Sequence, residues 1–321
     1  MDATNAALRI CPAPLFASAE EQSVVSAVHP SRDRTLIRVR AGVYTPRSAW
    51  EALLPWDRYL LRVHAYRLIR PDAVFSHESA ATLSGLPTFG HPHKIHLFDG
   101  RRTRSVSYGD VTVHTSADGR RIHEDAGMRI TSVGDTVLDL LRVLPPAFGL
   151  AVVDAAMRDD HLDRDDLWDL AGRQRNAHGR RRVEWALRRG TGLAESVGES
   201  VSRAVIEWCG YPTPELQVEH LIEGRTFRSD FCWPEERIIG ESDGWLKYSA
   251  TDPSAAAEAL RAEKRREDAL RRAGWTVARW DYKGAIGVDG LRAALSAAGL
   301  SPAHRGAPAA LRTAGRNPRS T

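Results

Sequence analysis

The sequence predicts a mixed fold, α/β in its second half and α+β overall, on three observations. The chain has 321 residues, 42% of them hydrophobic, enough for two ordinary domains each with its own core. Between residues 193 and 300 a helical pattern is followed by three strand-like runs in a meander, a long helical pattern and a fourth strand. That is the order of an α/β unit with a mixed sheet. Between 35 and 171 helical and strand-like patterns also mix, without an internal repeat, which reads as a separate α+β domain.

Residues 1–34 are poorly patterned; an acid at position 2, a short apolar run broken by prolines and no basic start make them a poor signal peptide. TLIRVRAGVYTP (35–46) alternates apolar and basic residues ahead of Gly42 and Pro46, a short strand or hairpin with one wet, basic face. WDRYLLRVHAYRLIR (56–70) has Leu61 and Leu68 at a helical offset and is stopped by Pro71. SHESAATLSGLP (76–87) reads as a small-residue helix that starts at Ser76 and ends at Gly85 and Pro87, with His77 and Glu78 as helix-start residues. KIHLFDG and VTVH suit strands. TSVGDTVLDLLRVLP (131–145) is a helix opening at Thr131 or Ser132, and AFGLAVVDAAMRDD continues the helical pattern after two prolines.

Residues 172–192 form an Arg-rich junction: GRQRNAHGRRRVEWALRRG carries seven arginines against one acid, Glu184. Such a run is either a solvated helix face or linker, or a phosphate-contacting stripe, since clustered arginines release counterions from a polyanion. In the second half, ESVGESVSRAVIEWCG is a helix stopped by Gly210, ELQVEHLI and TFRSDFCW are strands joined through a tight EGR turn, and RIIGESD is the third strand. SAAAEALRAEKRREDALRRAG is the long helix, WTVARW the fourth strand and VDGLRAALSAAG a closing helix. The tail from Ser301 to Thr321, rich in Pro, Ala, Gly and Arg and free of acids, is expected to be disordered.

With 45 Lys plus Arg against 41 Asp plus Glu the net charge is +4, mildly basic and compatible with nucleic acid. Cys11, Cys209 and Cys232 are scattered, without a CxxC pair, which suits a reducing, cytoplasmic setting. No stretch approaches membrane-spanning length.

The chemistry concentrates in RSDFCWPEERIIGESDGWLKY (228–248). A four-residue turn at Pro234–Arg237 would set Trp233 opposite Ile238 and, three residues on, Asp230 opposite Glu241, with both side chains on one face together with Arg228 and Asp243. Two carboxylates about 5 Å apart repel by roughly 3 kcal/mol at an effective dielectric of 20. Two readings offset that cost. One is a bound divalent cation, Mg²⁺ or Mn²⁺, held by carboxylates, waters and a substrate phosphate. The other is a solvated sheet edge on which Arg228 pairs with Asp243. Glu199 is either a third acid near the site or the last member of a capping box begun by Ser196. Lys247, just past the third strand, could neutralise charge at the phosphate or the attacking water. Lys264 on the long helix could supply the same charge or meet nucleic acid, a solvated lysine being its plain alternative, and Gln217 on the first strand is a weaker candidate.

The motifs GESVSRAVIEWCGYPTPELQVE, RSDFCWPEERIIGESDGWLKY and EKRREDALRRAGWTVARW, over about residues 194–284, resemble the domain-of-unknown-function family 559, related to the very-short-patch-repair endonucleases of the PD-(D/E)XK superfamily. The resemblance implies an αβββαβ nuclease-like core in which Glu199, Asp230 and Glu241 match the acidic, metal-binding positions. It also implies a departure: Asp243 stands where that superfamily's pattern has lysine, with Lys247 as its stand-in and Asp243 as a further metal or supporting acid. The N-terminal half, through TLIRVRAGVYTP, FSHESAATLSGLP, KIHLFDG and the 131–145 helix, resembles less specifically the AbiEi-type antitoxins of abortive-infection systems. In that family a winged helix-turn-helix precedes the Gly-Val-Tyr segment, whereas about 34 residues precede it here. These resemblances imply a Mg²⁺-dependent DNA endonuclease in which Arg173, Arg175, Arg180, Arg181 and Arg182 meet the DNA backbone, or else a non-catalytic DNA-binding antitoxin or regulator on the same scaffold. DNA, and a cognate toxin or other defence-system protein, are the implied partners; a bare protein-interaction module is the third alternative.

Overall fold

The computed structural model describes residues 10–11, 17–18, 32–159, 162–243 and 253–315. The described chain forms two compact units, one from residues up to Leu144 together with 162–184, the other from 145–159 and 185–315.

In the first unit, β1 (Ala17–Ser18), β2 (Leu36–Arg40) and β3 (Val43–Pro46) make a three-stranded sheet in the order β1-β3-β2. The hairpin turns at Gly42, whose φ of 76° favours glycine. After α1 (Arg47–Ala52), helix α2 (Pro55–Ile69) starts with proline in its first turn, where the missing N–H costs nothing, and buries Tyr59, Leu61, Val63 and Tyr66. A six-stranded mixed sheet follows. Its strands are β4 (Val74–Phe75), β5 (Ile95–Phe98), β6 (Val106–Tyr108), β7 (Val111–His114), β8 (Ile122–Asp125) and β9 (Met128–Thr131), ordered β6-β7-β5-β4-β9-β8. Helix α3 (His77–Leu83) lies in sequence between β4 and β5. Helix α4 (Val133–Val143) begins at Ser132, whose side chain accepts from the Asp135 N–H, as the Thr131/Ser132 reading anticipated. Helix α5 (Pro146–Arg158) opens the second unit, and α6 (Arg164–Arg173), capped by Asp163, returns to the first.

Three domain expectations change or narrow. The unit boundary is not at 171: α5 belongs with the C-terminal half because Asp154, fully buried, binds Arg203 at 2.7 Å and the Thr191 N–H at 2.9 Å. Of the two readings of the Arg-rich junction, a helix face or a linker, the first holds for ten of its residues, which form helix α7 (Arg180–Arg189) and bury Val183, Ala186 and Leu187. Finally, the tail is ordered through Gly315. Ala303 and His304 donate to the Gly210 carbonyl at 2.8 and 3.0 Å, Ala307 donates to the Trp208 carbonyl at 2.7 Å, and α12 (Pro308–Leu311) follows. Close backbone approach needs small residues on both sides: a Cβ on Gly306 of the tail would lie 3.0 Å from the Trp208 carbonyl oxygen, and one on Gly210 would lie 2.2 Å from the His304 carbonyl oxygen. Composition alone cannot separate that use of Ala and Gly from disorder.

The second unit has the expected order. Helix α8 (Val197–Cys209) precedes β10 (Glu215–Ile222), β11 (Arg225–Trp233) and β12 (Ile238–Asp243); helix α9 (Pro253–Arg272) then leads to β13 (Thr276–Asp281), α10 (Tyr282–Ile286) and α11 (Asp289–Ala297). The sheet order is β10-β11-β12-β13, antiparallel except for the parallel β12–β13 pair. One face is apolar: Gly240 sits beneath Phe231, Trp233 and Trp280, and the Trp280 Nε1–H donates to Ser202 of α8 at 2.8 Å. The other face carries the acids. Among the described residues no helix is long and apolar enough to cross a membrane.

Candidate functional site

The β11–β12 turn sets the site. Trp233 pairs with Ile238, Cys232 with Ile239 and Phe231 with Gly240, the register the four-residue turn predicts. One more step of that count puts Asp230 beside Glu241, where the ladder gives way to a side-chain bond: the Ser242 N–H donates to Asp230 Oδ2 at 2.8 Å. Across the parallel pair Glu241 is matched with Arg279. Strand alternation therefore places Asp230, Glu241, Asp243 and Arg279 on one face, opposite the tryptophans.

Glu241 is 5% exposed and is held by side chains from two elements. Arg266 of α9 grips it as a fork, Nη1 donating to Oε2 at 3.0 Å and Nη2 to Oε1, while Arg279 Nη2 lies 3.3 Å from Oε2. Both guanidiniums also reach Glu263, and Arg266 Nη2 donates to the Arg228 carbonyl at 3.2 Å. Burial pulls the Arg266 pKa down, but Glu241 and Glu263 outweigh it and hold it above the usual arginine value. Burial likewise pushes Glu263 up, and Arg279 with Arg266 brings it below the usual carboxylate range. Neither Arg266 nor Arg279 was singled out from sequence. The parallel pairing of WTVARW with RIIGESD would have pointed to Arg279, and the i, i+3 spacing from Glu263 to Arg266 on one helix is an ordinary surface pattern.

Glu199 starts α8. Its N–H is capped by Ser196 Oγ at 3.1 Å, as the capping reading requires, but its carboxylate reaches the Glu195 N–H and Gln217 Nε2, each at 2.9 Å, rather than closing the box on Ser196. Gln217, at φ 53°, stands between the Leu216–Phe231 and Val218–Ser229 pairs, across from Asp230. Because Glu199 takes the Gln217 NH₂, the carboxamide oxygen faces the other way, and that buried Oε1 has no hydrogen-bond partner. Arg228 pairs with Glu195 at 2.6 Å. Asp243 is half-buried at the end of β12; Lys247 lies outside the described residues.

Among the described residues, no three His, Cys, Asp or Glu side chains converge as ligands of one ion. The donor chemistry nonetheless fits a hard divalent cation. Asp230 and Glu241 are oxygen donors on adjacent strands of one face, and Gln217, whose carboxamide oxygen is unsatisfied, stands across from Asp230 in the register. Glu199 supports that oxygen by fixing the carboxamide.

The proposed backbone contacts are exposed, and several are also engaged within the fold. Arg175 donates to the Ala117 carbonyl at 2.7 Å, Arg180 pairs with Glu184 at 2.9 Å, Arg182 reaches the Arg142 carbonyl at 3.2 Å and Arg173 bonds back to Asp169. Arg181 is exposed beside them, and Arg180, Arg181 and Arg182 line a concavity at the start of α7 with His178 and Glu184. Lys264 is exposed on α9. His77 and Glu78 open α3 as expected, within a buried cluster: Glu78 lies 3.3 Å from His96, His96 bonds His114 at 2.9 Å, and the His77 and His114 rings stack at 3.8 Å.

No family model matches the chain. The uncharacterized proteins Rv2248 and MT2308, from two strains of Mycobacterium tuberculosis, are each 31% identical to it over 201 residues, covering 62% of this chain and 70% of their own length. The chain belongs to their family.

Proposed function

We propose that the second unit is a metal-dependent DNA endonuclease centre, with the antitoxin-like first unit helping to position the DNA. The observation that carries this reading is the β11–β12 register, whose Phe231–Gly240 pair is followed by Asp230 and Glu241 at the next step, with Gln217, its carboxamide oxygen unsatisfied, across from Asp230 on β10. Asp230 and Glu241 would hold Mg²⁺ or Mn²⁺, and Glu199 would act through Gln217. When bound, such an ion activates water and offsets the charge of a phosphodiester under attack. Asp243 would support the site or a second ion, and Lys247 would meet the phosphate. Arg173, Arg175, Arg180, Arg181, Arg182 and Lys264 would contact the DNA backbone without reading bases. Three unpaired cysteines support a cytoplasmic setting.

A second reading is a non-catalytic DNA-binding regulator or antitoxin, partnered by a toxin or other defence-system protein. The Arg266 fork favours it, since it already satisfies both oxygens of Glu241. Cleavage of plasmid and single-stranded DNA with Mg²⁺ or Mn²⁺ separates the two. The nuclease reading expects cleavage that Asp230→Ala and Glu241→Ala reduce at least 100-fold with DNA binding kept; intact DNA that is nevertheless shifted in a gel supports the regulator.

A further inference from the structure

We propose that Arg266 is a built-in counter-cation that closes Glu241 to a divalent ion until a DNA phosphodiester takes its guanidinium. The inference rests on the metal-centre reading above and concerns how that centre is controlled.

The fork occupies one lone pair on each Glu241 oxygen with fixed positive charge. A cation in that position opposes a second one at the same carboxylate. Charge count sets the direction of the effect. Among the described residues in ion-pair contact around Glu241, three carboxylates (Glu241, Glu263 and Glu267) face three guanidiniums (Arg266, Arg279 and Arg271), a balanced cluster. Withdrawing Arg266 leaves one negative charge, and the Asp230 carboxylate of the proposed centre adds a second, which together match a divalent ion.

Of the two arginines, Arg266 is the one able to leave. Arg279 sits on a central pairing position of β13, opposite Glu241, and stays with Glu263. Arg266 instead projects from α9, whose exposed residues include Arg261, Lys264 and Arg265, a basic surface that attracts DNA phosphates. A phosphate offers Arg266 the same two-pronged partner that Glu241 does. Its other contacts are to the Arg228 carbonyl, which water can satisfy, and to Glu263, which Arg279 also holds. DNA binding and ion binding are therefore coupled, and by linkage each strengthens the other by the same factor.

Mn²⁺ titrations of the full chain test this by calorimetry or by the loss of free-ion paramagnetic signal. Arg266→Gln is expected to bind Mn²⁺ at least tenfold tighter than the wild type. A nuclease-resistant phosphorothioate duplex is expected to tighten wild-type Mn²⁺ binding at least tenfold and to leave Arg266→Gln within about twofold of its value without DNA. Equal or weaker Mn²⁺ binding by a folded Arg266→Gln protein overturns the proposal. So does a duplex that binds the wild type without changing its Mn²⁺ affinity, an arm that needs no variant. If Arg266→Gln gains Mn²⁺ affinity while neither protein cleaves DNA, the nuclease reading fails and the counter-cation role stands.

Discussion

Two clusters of buried acids, one in each unit, are held in different ways. In the first, Asp118 and Asp135 bind backbone, and Asp139 binds an arginine that is only 2% exposed. Asp118 accepts from the Arg175 and Asn176 N–H groups, both at 3.0 Å, and Asp135 accepts from the Arg121 N–H at 2.9 Å. Asp139 takes both prongs of Arg120, at 2.8 and 3.0 Å, in a site where burial still raises its pKa. In the second unit Glu241 is as deeply buried, yet its partners are the side chains of Arg266 and Arg279. Acids that accept backbone N–H groups cannot lose their partners without unfolding a loop, and Arg120, 2% exposed, is enclosed with its acid, whereas the Arg266 guanidinium, 20% exposed, can swing away by rotating about its own bonds. The first arrangement fixes structure; the second can change state.

Breaking each arrangement should expose that difference. Arg120→Met strands Asp139 in a site 2% exposed on the arginine side, and a loss of about 3–5 kcal/mol is expected in denaturant unfolding. Gly240→Ala should follow at about 1–3 kcal/mol, because the new methyl would meet Trp280 at 2.7 Å and Phe231 and Trp233 at 3.1 Å. Arg266→Gln should cost less, about 1–2 kcal/mol, since Arg279 remains on Glu241. A cost for Arg266→Gln equal to that for Arg120→Met would place both pairs in one structural class.

The smallest effect is one of pH. His220 is buried, bonds Ser229 at 2.9 Å and packs edge-on against Trp275. Burial first, and then the charge of Arg266, lower its pKa, with Glu241 acting in the opposite sense. The unfolded chain therefore binds this proton at higher pH than the folded one. The contribution of His220 is complete above the ordinary histidine value of about 6.5 and is lost as pH falls through the lowered folded value. His220→Gln should flatten the fall in melting temperature between about pH 7 and 5, and Arg266→Gln should raise the His220 pKa read by NMR titration.

Much of the second unit was legible because its signals are local. Glu223 and Gly224, at φ 50° and 75°, make the tight turn between β10 and β11, and Pro234–Arg237 fixes the β11–β12 register that aligns Asp230 with Glu241. The first unit was read less completely because β4, β6, β8 and β9 are two to four residues long, too short to show alternation, and β4 pairs with β9, far along the chain. The same limit hid Arg266, whose partner Glu241 lies 25 residues away on another element. The role of Gln217 was hidden too, since it depends on a left-handed residue inside a strand.

The most direct test of the central claim is an anomalous-difference map of crystals grown with Mn²⁺ and a phosphorothioate duplex. The account predicts a Mn²⁺ peak bridging Asp230 and Glu241, with the Arg266 guanidinium moved from Glu241 to a DNA phosphate. Bound duplex with Arg266 still forked on Glu241 and no peak at that pair, in saturating Mn²⁺, would contradict it.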